Sequence, residues 1–317
     1  MLLLELVGGF VLLLAGGEAL VRGSVSVARR LGVAPLVIGL TLVGFGTSTP
    51  ELVTSIEAAL KGSPGIAVGN IVGSNIANVL LILGAAALIR PIACDPRAFY
   101  RDGTVLAAAT LVCVPIALLG GLGRFGGLVL VGLLIAYIAG TYFAERTGGS
   151  ASADLHTREA DPAEPAHFSL PVGLVVALGG LGLIVFGAQL LVGGAVTVAR
   201  DFGVSETIVG LTLVAVGTSL PELMTSVVAS LRGQSDVALG NVIGSNIYNI
   251  LGILGGTAVV TPLTFPPEIA ALDLWVMVAA TALVIAFAIT GWRVGRREGA
   301  VLLLAYGGYV AWLATGA

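Results

Sequence analysis

The chain has 317 residues, 57% of them apolar and only 10% charged, with a formal net charge of −3 and a mean hydropathy of +1.05. A soluble domain carries about 25% charged residues because its surface must face water, so composition excludes a soluble globule and turns most of the outer surface toward lipid. There is no basic stripe with interleaved aromatics, which argues against a nucleic-acid partner, and nothing implies a protein partner. The cysteines, Cys94 and Cys113, are too sparse for a disulfide framework or a thiolate metal site, and they read as small apolar fillers. Both histidines, His156 and His167, fall in one polar stretch, so no histidine-based metal site or catalytic triad is expected within the membrane.

A bilayer core of about 30 Å takes about 20 apolar residues per helix. The chain predicts an all-α polytopic membrane protein of ten transmembrane helices, at roughly 2–30, 33–61, 65–90, 104–121, 126–145, 170–200, 204–231, 236–261, 270–290 and 299–316. The N-terminal stretch lacks the basic region and cleavage site of a secretory signal, and it has a counterpart at 170–200, so it counts as the first helix. The first and sixth helices, about 45 Å long at 1.5 Å per residue, should lie strongly tilted.

With the N-terminus outside, twelve of the basic residues fall on the cytoplasmic side and only Lys61, Arg124 and Arg200 on the other. That is the positive-inside pattern of a multi-pass protein of the cell (inner or plasma) membrane. Residues 146–168 read as a polar cytoplasmic linker between two five-helix repeats, 1–145 and 169–317. An odd number of helices per half inverts one half relative to the other.

Sliding the sequence by 171 positions lays residues 32–84 over 203–255 without a gap, with 30 of the 53 positions identical. GLTLVGFGTSTPELVTS lies over GLTLVAVGTSLPELMTS, and GNIVGSNIAN over GNVIGSNIYN. Inverted repeats of this kind characterise secondary transporters, with the substrate site at the repeat interface near the midplane.

Each repeat sets one carboxylate, Glu51 or Glu222, in an otherwise apolar helix. Such a group costs at least about 2.5–3.5 kcal/mol on insertion scales and calls for a cation, a partner or a proton. No Lys or Arg lies at similar depth, so a buried ion pair lacks its positive member. Pro50 and Pro221 break the helices just before the glutamates, which should free carbonyls near Gly44, Thr47, Ala215 and Thr218 to face an ion; Thr and Ser hydroxyls add hard oxygens suited to Na⁺ and Ca²⁺. A merely kinked helix with self-bonded hydroxyls would explain one such break, but two identical breaks beside two glutamates favour a site.

The third and eighth helices bring Ser74 and Asn78, and Ser245 and Asn249, each pair four apart on one helix face; Asn75 and Asn246 should point elsewhere. Alone such a face would be helix–helix glue. Other acids read more blandly. Glu57 should pair with Lys61 and Glu18 with Arg22, while Asp95, Asp102, Asp201, Glu206, Asp236 and Asp273 fall at helix ends or in loops.

The paired motifs GTSTPEL/GNIVGSNIAN and GTSLPEL/GNVIGSNIYN resemble the α-repeats of the Ca²⁺/cation antiporter superfamily, above all those of prokaryotic Na⁺/Ca²⁺ exchangers. The resemblance implies four ion sites in a diamond between the second, third, seventh and eighth helices. Glu51 and Glu222 would be the shared ligands and the main Ca²⁺ carboxylates. Thr47 and Thr218 would give carbonyl and hydroxyl oxygens, and Ser48, Ser74, Ser219 and Ser245 further hydroxyls. Gly44 and Ala215 would give carbonyls, and Asn78 and Asn249 the central amides.

Some members carry Asp where this chain has Asn249, and K⁺-dependent relatives are known for an acid there, so K⁺ co-transport is not expected. The implied function is Ca²⁺/Na⁺ antiport by alternating access, with an H⁺-coupled Ca²⁺ antiporter as the alternative. No resident cofactor is implied; Ca²⁺ and Na⁺ bind as substrates. Two glutamates balance one Ca²⁺, whereas three Na⁺ leave one excess charge, worth about 2.3 kcal/mol per 100 mV. The linker is too short for a large Ca²⁺-sensing domain.

A cation channel is a rival of another class, separable by unitary conductance against saturable counter-flow. An intramembrane enzyme lacks a His, Lys or Asp to activate a nucleophile. The long first and sixth helices, with glycine pairs Gly16-Gly17 and Gly193-Gly194, are expected to slide past a core that keeps its geometry.

Overall fold

The computed structural model describes residues 2–33, 35–147, 168–201 and 215–314. Its helices are α1 (Leu2–Leu31), α2 (Leu36–Thr47), α3 (Thr49–Leu60), α4 (Pro64–Ile89), α5 (Pro96–Leu118) and α6 (Arg124–Thr147). In the second half they are α7 (Leu170–Asp201), α8 (Ala215–Thr218), α9 (Leu220–Leu231), α10 (Ser235–Val260), α11 (Ile269–Ile289) and α12 (Arg296–Ala314).

By length and composition seven of these could cross a membrane, or eight if α2 and α3 form one span bent by 43°. The expected ten are not reached among the described residues. α9 is short, and α12 opens on Arg296, Arg297 and Glu298, which dilute its apolar character. The expected linker starts later than 146, since α6 runs to Thr147; its residues 148–167, with His156 and His167, and positions 204–214 of the seventh expected helix, with Glu206, lie outside the described residues. The fold is that of a mostly helical, multi-pass membrane protein.

Burial sorts the helices. The apolar windows of α4 and α10 are 72% and 94% buried, against 39%, 22% and 28% for α1, α6 and α7. The two motif-bearing helices therefore form the centre, and α1 and α7 pack mainly on each other at the outside. Their contact is made by glycines seven apart. A side-chain carbon at Gly9 would sit 2.8 Å from the Gly187 carbonyl oxygen, and one at Gly16 would sit 2.7 Å from that of Gly180. Gly23 approaches Gly173 and Ala177 in the same way. Ascending numbers on α1 thus meet descending numbers on α7, so these two sequence-related helices run antiparallel.

The same correspondence, at offsets of 171 or 172 positions, organises the rest of the chain. Arg124, which opens α6, donates from Nη2 to the carbonyl of Val260 at the end of α10 (3.4 Å), and Arg296, which opens α12, does the same to Ile89 at the end of α4 (3.2 Å). An arginine near a helix C-terminus satisfies orphan carbonyls and suits the dipole. Four two-residue strands follow suit: β1 (Ile92–Ala93) pairs antiparallel with β4 (Arg293–Val294), and β2 (Gly121–Leu122) with β3 (Leu263–Thr264). The last helix of each half therefore braces the central helix of the other half. Thr110 and Thr281, which correspond to each other, meet hydroxyl to hydroxyl at 3.3 Å.

One helix start differs from expectation. α5 begins at Pro96 rather than near 104, because Asp95 caps it by accepting from the Ala98 N–H (2.8 Å) and proline occupies the first turn. Asp102 consequently sits inside the helix, fully buried, paired with Arg101 (2.8 Å) and accepting from the Tyr137 hydroxyl (3.0 Å). The expected surface pairs Glu57–Lys61 and Glu18–Arg22 are both formed.

Candidate cation-binding site

The helix breaks lie where proline puts them. Ser48 separates α2 from α3 with φ −84°, ψ 9°, and Ser219 separates α8 from α9 with φ −91°, ψ 4°. Pro50 and Pro221 fall in the first turns of the new helices, which places Glu51 and Glu222 there as well. Both glutamates are 1% exposed. Each carboxylate is reached from the other half of the chain. Ser48 Oγ donates to Glu222 Oε1 at 2.7 Å, and Ser219 Oγ to Glu51 Oε1 at a longer 3.4 Å.

α2 and α4 of the first half, and α10 of the second, close around these carboxylates, and α8 packs on α4. Gly44 lies against Ser245 and Asn241 of α10; a side-chain carbon there would be 3.1 Å from the Ser245 nitrogen. Asn78 and Asn249 are each 1% exposed and sit at the starts of π-helical segments, Asn78–Leu83 and Tyr248–Leu254. Such segments interrupt the regular ladder and often mark functional sites. Ser74 and Ser245 are buried one turn earlier.

Several polar atoms in this cluster have no hydrogen-bond partner among the described residues. They are Glu51 Oε2, Glu222 Oε2, Asn78 Oδ1, Asn246 Nδ2, both amide atoms of Asn249, and Asn75 Oδ1. Leaving such a group buried and unpaired costs about 1–3 kcal/mol, more when charged. Neither glutamate forms an ion pair with a described residue; the other buried acid, Asp102, has Arg101. No group of three His, Cys, Asp or Glu side chains occurs among the described residues. An ion held here would meet two carboxylates and neutral oxygens, the ligand type of hard cations such as Na⁺ and Ca²⁺.

Two expectations need correction. The Gly44 carbonyl is not left open; it accepts from the Ser48 N–H (3.2 Å), Thr47 Oγ1 (3.3 Å) and Ser245 Oγ (3.1 Å). Pro50 removes the donor four residues after Gly46, not after Gly44, so Gly44 keeps its helical partner. Asn246 does not point elsewhere, for its Oδ1 accepts from Asn78 Nδ2 at 3.0 Å. Asn75 does turn back to its own helix, donating to the Ile71 carbonyl at 2.7 Å. Thr218 closes α8 as Thr47 closes α2.

Sequence reasoning passed over Asn70 and Asn241. Asn70 Nδ2 donates to the Glu51 carbonyl (3.3 Å) and Ser55 Oγ (3.0 Å), and Asn241 Nδ2 to the Glu222 carbonyl (3.1 Å) and Ser226 Oγ (2.8 Å). Each binds a glutamate-bearing helix to the central helix of its own half. Their identity in both repeats was the signal that could have found them.

Broken helices that bring two carboxylates and neutral oxygens to a buried meeting point of related halves define a membrane transporter for cations. The model of the sodium/calcium exchanger protein family matches residues 1–143 and 172–315. The chain is 35% identical over 312 residues to the inner membrane protein YrbG of Escherichia coli, covering 98% of this chain and 94% of that one. It is 34% identical over 335 residues to the sodium/calcium exchanger MaX1 of Methanosarcina acetivorans, covering 94% of each. A solved structure of the sodium-calcium exchanger NCX_Mj superposes with a TM-score of 0.84 at 34% identity, covering 98% of this chain and 99% of that chain. The chain belongs to the sodium/calcium exchanger family, whose members are transporters and not enzymes.

Proposed function

We propose that the protein exchanges Ca²⁺ for Na⁺ by alternating access, through a site built from Glu51, Glu222 and the surrounding Thr, Ser and Asn oxygens. One observation carries this reading. The two buried carboxylates cross between halves to a serine hydroxyl, and among the described residues each keeps one oxygen without a partner and has no cationic side chain beside it. Thr47, Thr218, Ser48, Ser74, Ser219, Ser245, Asn78 and Asn249, with the main-chain oxygen at Ala215, complete the proposed ligand set. Two negative charges match one Ca²⁺, and three Na⁺ in its place would make the cycle electrogenic.

In this reading the chain comprises ten transmembrane helices in two inverted repeats, 1–145 and 169–317, around a cytoplasmic linker at 146–168. It sits in the cell membrane with its N-terminus outside. The antiparallel contact of α1 with α7 and the reciprocal arginine caps support the inversion. The test is ⁴⁵Ca²⁺ uptake into proteoliposomes under an outward Na⁺ gradient, compared with a pH gradient of equal size. Uptake driven by Na⁺ alone is expected; uptake driven only by the pH gradient would assign the H⁺-coupled alternative.

A further inference from the structure

Asn241 is fully buried on α10, and every polar atom of its side chain has a partner. Its orientation follows from one of them. The Glu222 main-chain oxygen can only accept, so the amide atom 3.1 Å away must be the NH₂ group. That turns the Asn241 carbonyl toward Thr47, whose hydroxyl lies 3.1 Å from it. An amide oxygen cannot donate, so Thr47 must. Two further acceptors face the Thr47 hydroxyl, the Gly44 carbonyl at 3.3 Å and the Glu222 carboxylate, and neither can donate to it. With the proton on the Asn241 carbonyl at 3.1 Å rather than on the Gly44 carbonyl or the Glu222 carboxylate, the oxygen lone pairs stay available to a cation.

We propose that Asn241 is a positioning residue for the ion site. It orients the Thr47 hydroxyl of the first half as a lone-pair donor while it fixes the main chain of Glu222 in the second half. Outer partners that orient ligands in this way tune metal affinity about 10–100-fold. The side chain spans both halves, so it ties the geometry of a neutral ligand in one half to that of a charged ligand in the other. This inference rests on the exchange reading of the same site.

The test is a double-mutant cycle of N241A and T47V on the whole protein, with two readouts: Ca²⁺ and Na⁺ affinity from the ion-dependent rise in unfolding temperature, and Na⁺-driven ⁴⁵Ca²⁺ uptake. Each single variant is expected to weaken Ca²⁺ binding about tenfold, and the double variant no further than the weaker single one. Multiplying effects in the double variant, or unchanged ion affinities with only a lower unfolding temperature, overturn the proposal. Should N241A not fold, N241D keeps an acceptor facing Thr47, and T47V must still cost its full factor in that background; no effect there overturns the proposal equally. A wild-type protein that binds Ca²⁺ but shows no Na⁺-driven uptake defeats the exchange reading while the binding cycle still decides the role of Asn241. One that binds neither ion overturns both.

Discussion

Ser48 and Glu222 stand 174 positions apart in the chain, yet the Ser48 hydroxyl donates to the Glu222 carboxylate at 2.7 Å in a fully buried contact. The corresponding contact of Ser219 with Glu51 is 3.4 Å long. A charge-assisted hydrogen bond at the shorter distance contributes about 1.5–3 kcal/mol, and one near 3.5 Å much less. The two repeats are therefore not equivalent at the site. Ser48→Ala is expected to weaken Ca²⁺ binding by about tenfold or more, Ser219→Ala by less than half that factor. Equal losses, measured by Ca²⁺ titration of both variants, would show that the difference in length has no energetic weight.

Among the described residues the same pair of carboxylates is the entire negative charge of the site. Glu51→Gln and Glu222→Gln each keep the shape of the side chain and remove one charge, leaving a divalent ion uncompensated in a buried place. Each variant is expected to fold and to lose Ca²⁺ transport, with uptake below about one hundredth of wild type. Near-normal ⁴⁵Ca²⁺ flux in either variant, with folding checked by its unfolding transition, would remove the proposed site.

Asn249 supplies a neutral amide where a carboxylate would add a third negative charge, and both of its amide atoms are buried without partners among the described residues. With only two charges to compensate, the site has no electrostatic need of a further monovalent cation beside Ca²⁺. Na⁺-driven Ca²⁺ uptake should therefore run at the same rate with K⁺ replaced by choline on both sides. An absolute K⁺ requirement in that assay contradicts the argument. Asn249→Asp tests it from the other side: the added charge should raise Ca²⁺ affinity or confer a response to K⁺.

Much of this site could be read before any coordinates, for a physical reason. A carboxylate in an apolar helix and a proline one residue before it are costly locally, so their presence in both repeats marks function without knowledge of contacts. Asn70 and Asn241 were missed because their cost is hidden. Their partners, a glutamate main-chain oxygen and a serine 15 positions back, lie on the neighbouring helix. The same holds for Asn246, whose helical spacing turns it from Ser245 and Asn249 while Asn78 of the other half reaches it. The apolar run places the start of α5 near 104 because Arg97, Arg101 and Asp102 interrupt it, although Asp95-Pro96 carries a helix-start signal. Burial of Asp102 depends on Tyr137, 35 positions away, and spacing does not reveal such a pair.

The last prediction concerns movement of α1 and α7 past the rest. Their glycines differ sharply in what an added carbon would meet. At Gly16 it would strike backbone, the Gly180 oxygen at 2.7 Å and the Ile184 nitrogen at 2.8 Å; at Gly194 it would meet side chains, Leu6 Cδ2 at 2.8 Å and Cγ at 3.1 Å and Glu5 Cβ at 3.6 Å; at Gly193 nothing lies within 4 Å. Gly17 faces Val228 of α9 instead, so one face of α1 packs on α7 and another on the core. None of these positions touches Glu51 or Glu222, so a sliding pair predicts a graded defect in rate with ion affinity largely kept. Gly16→Ala should slow turnover most, by roughly tenfold if about 1.4 kcal/mol is added to the limiting barrier. Gly194→Ala should slow it less, because a leucine tip can turn aside, and Gly193→Ala should behave as wild type. Uptake rate at saturating Ca²⁺ and Ca²⁺ affinity, measured on the same three variants, decide the matter. A loss of affinity in that order with turnover per bound ion unchanged would place the defect in the site and discard the sliding model.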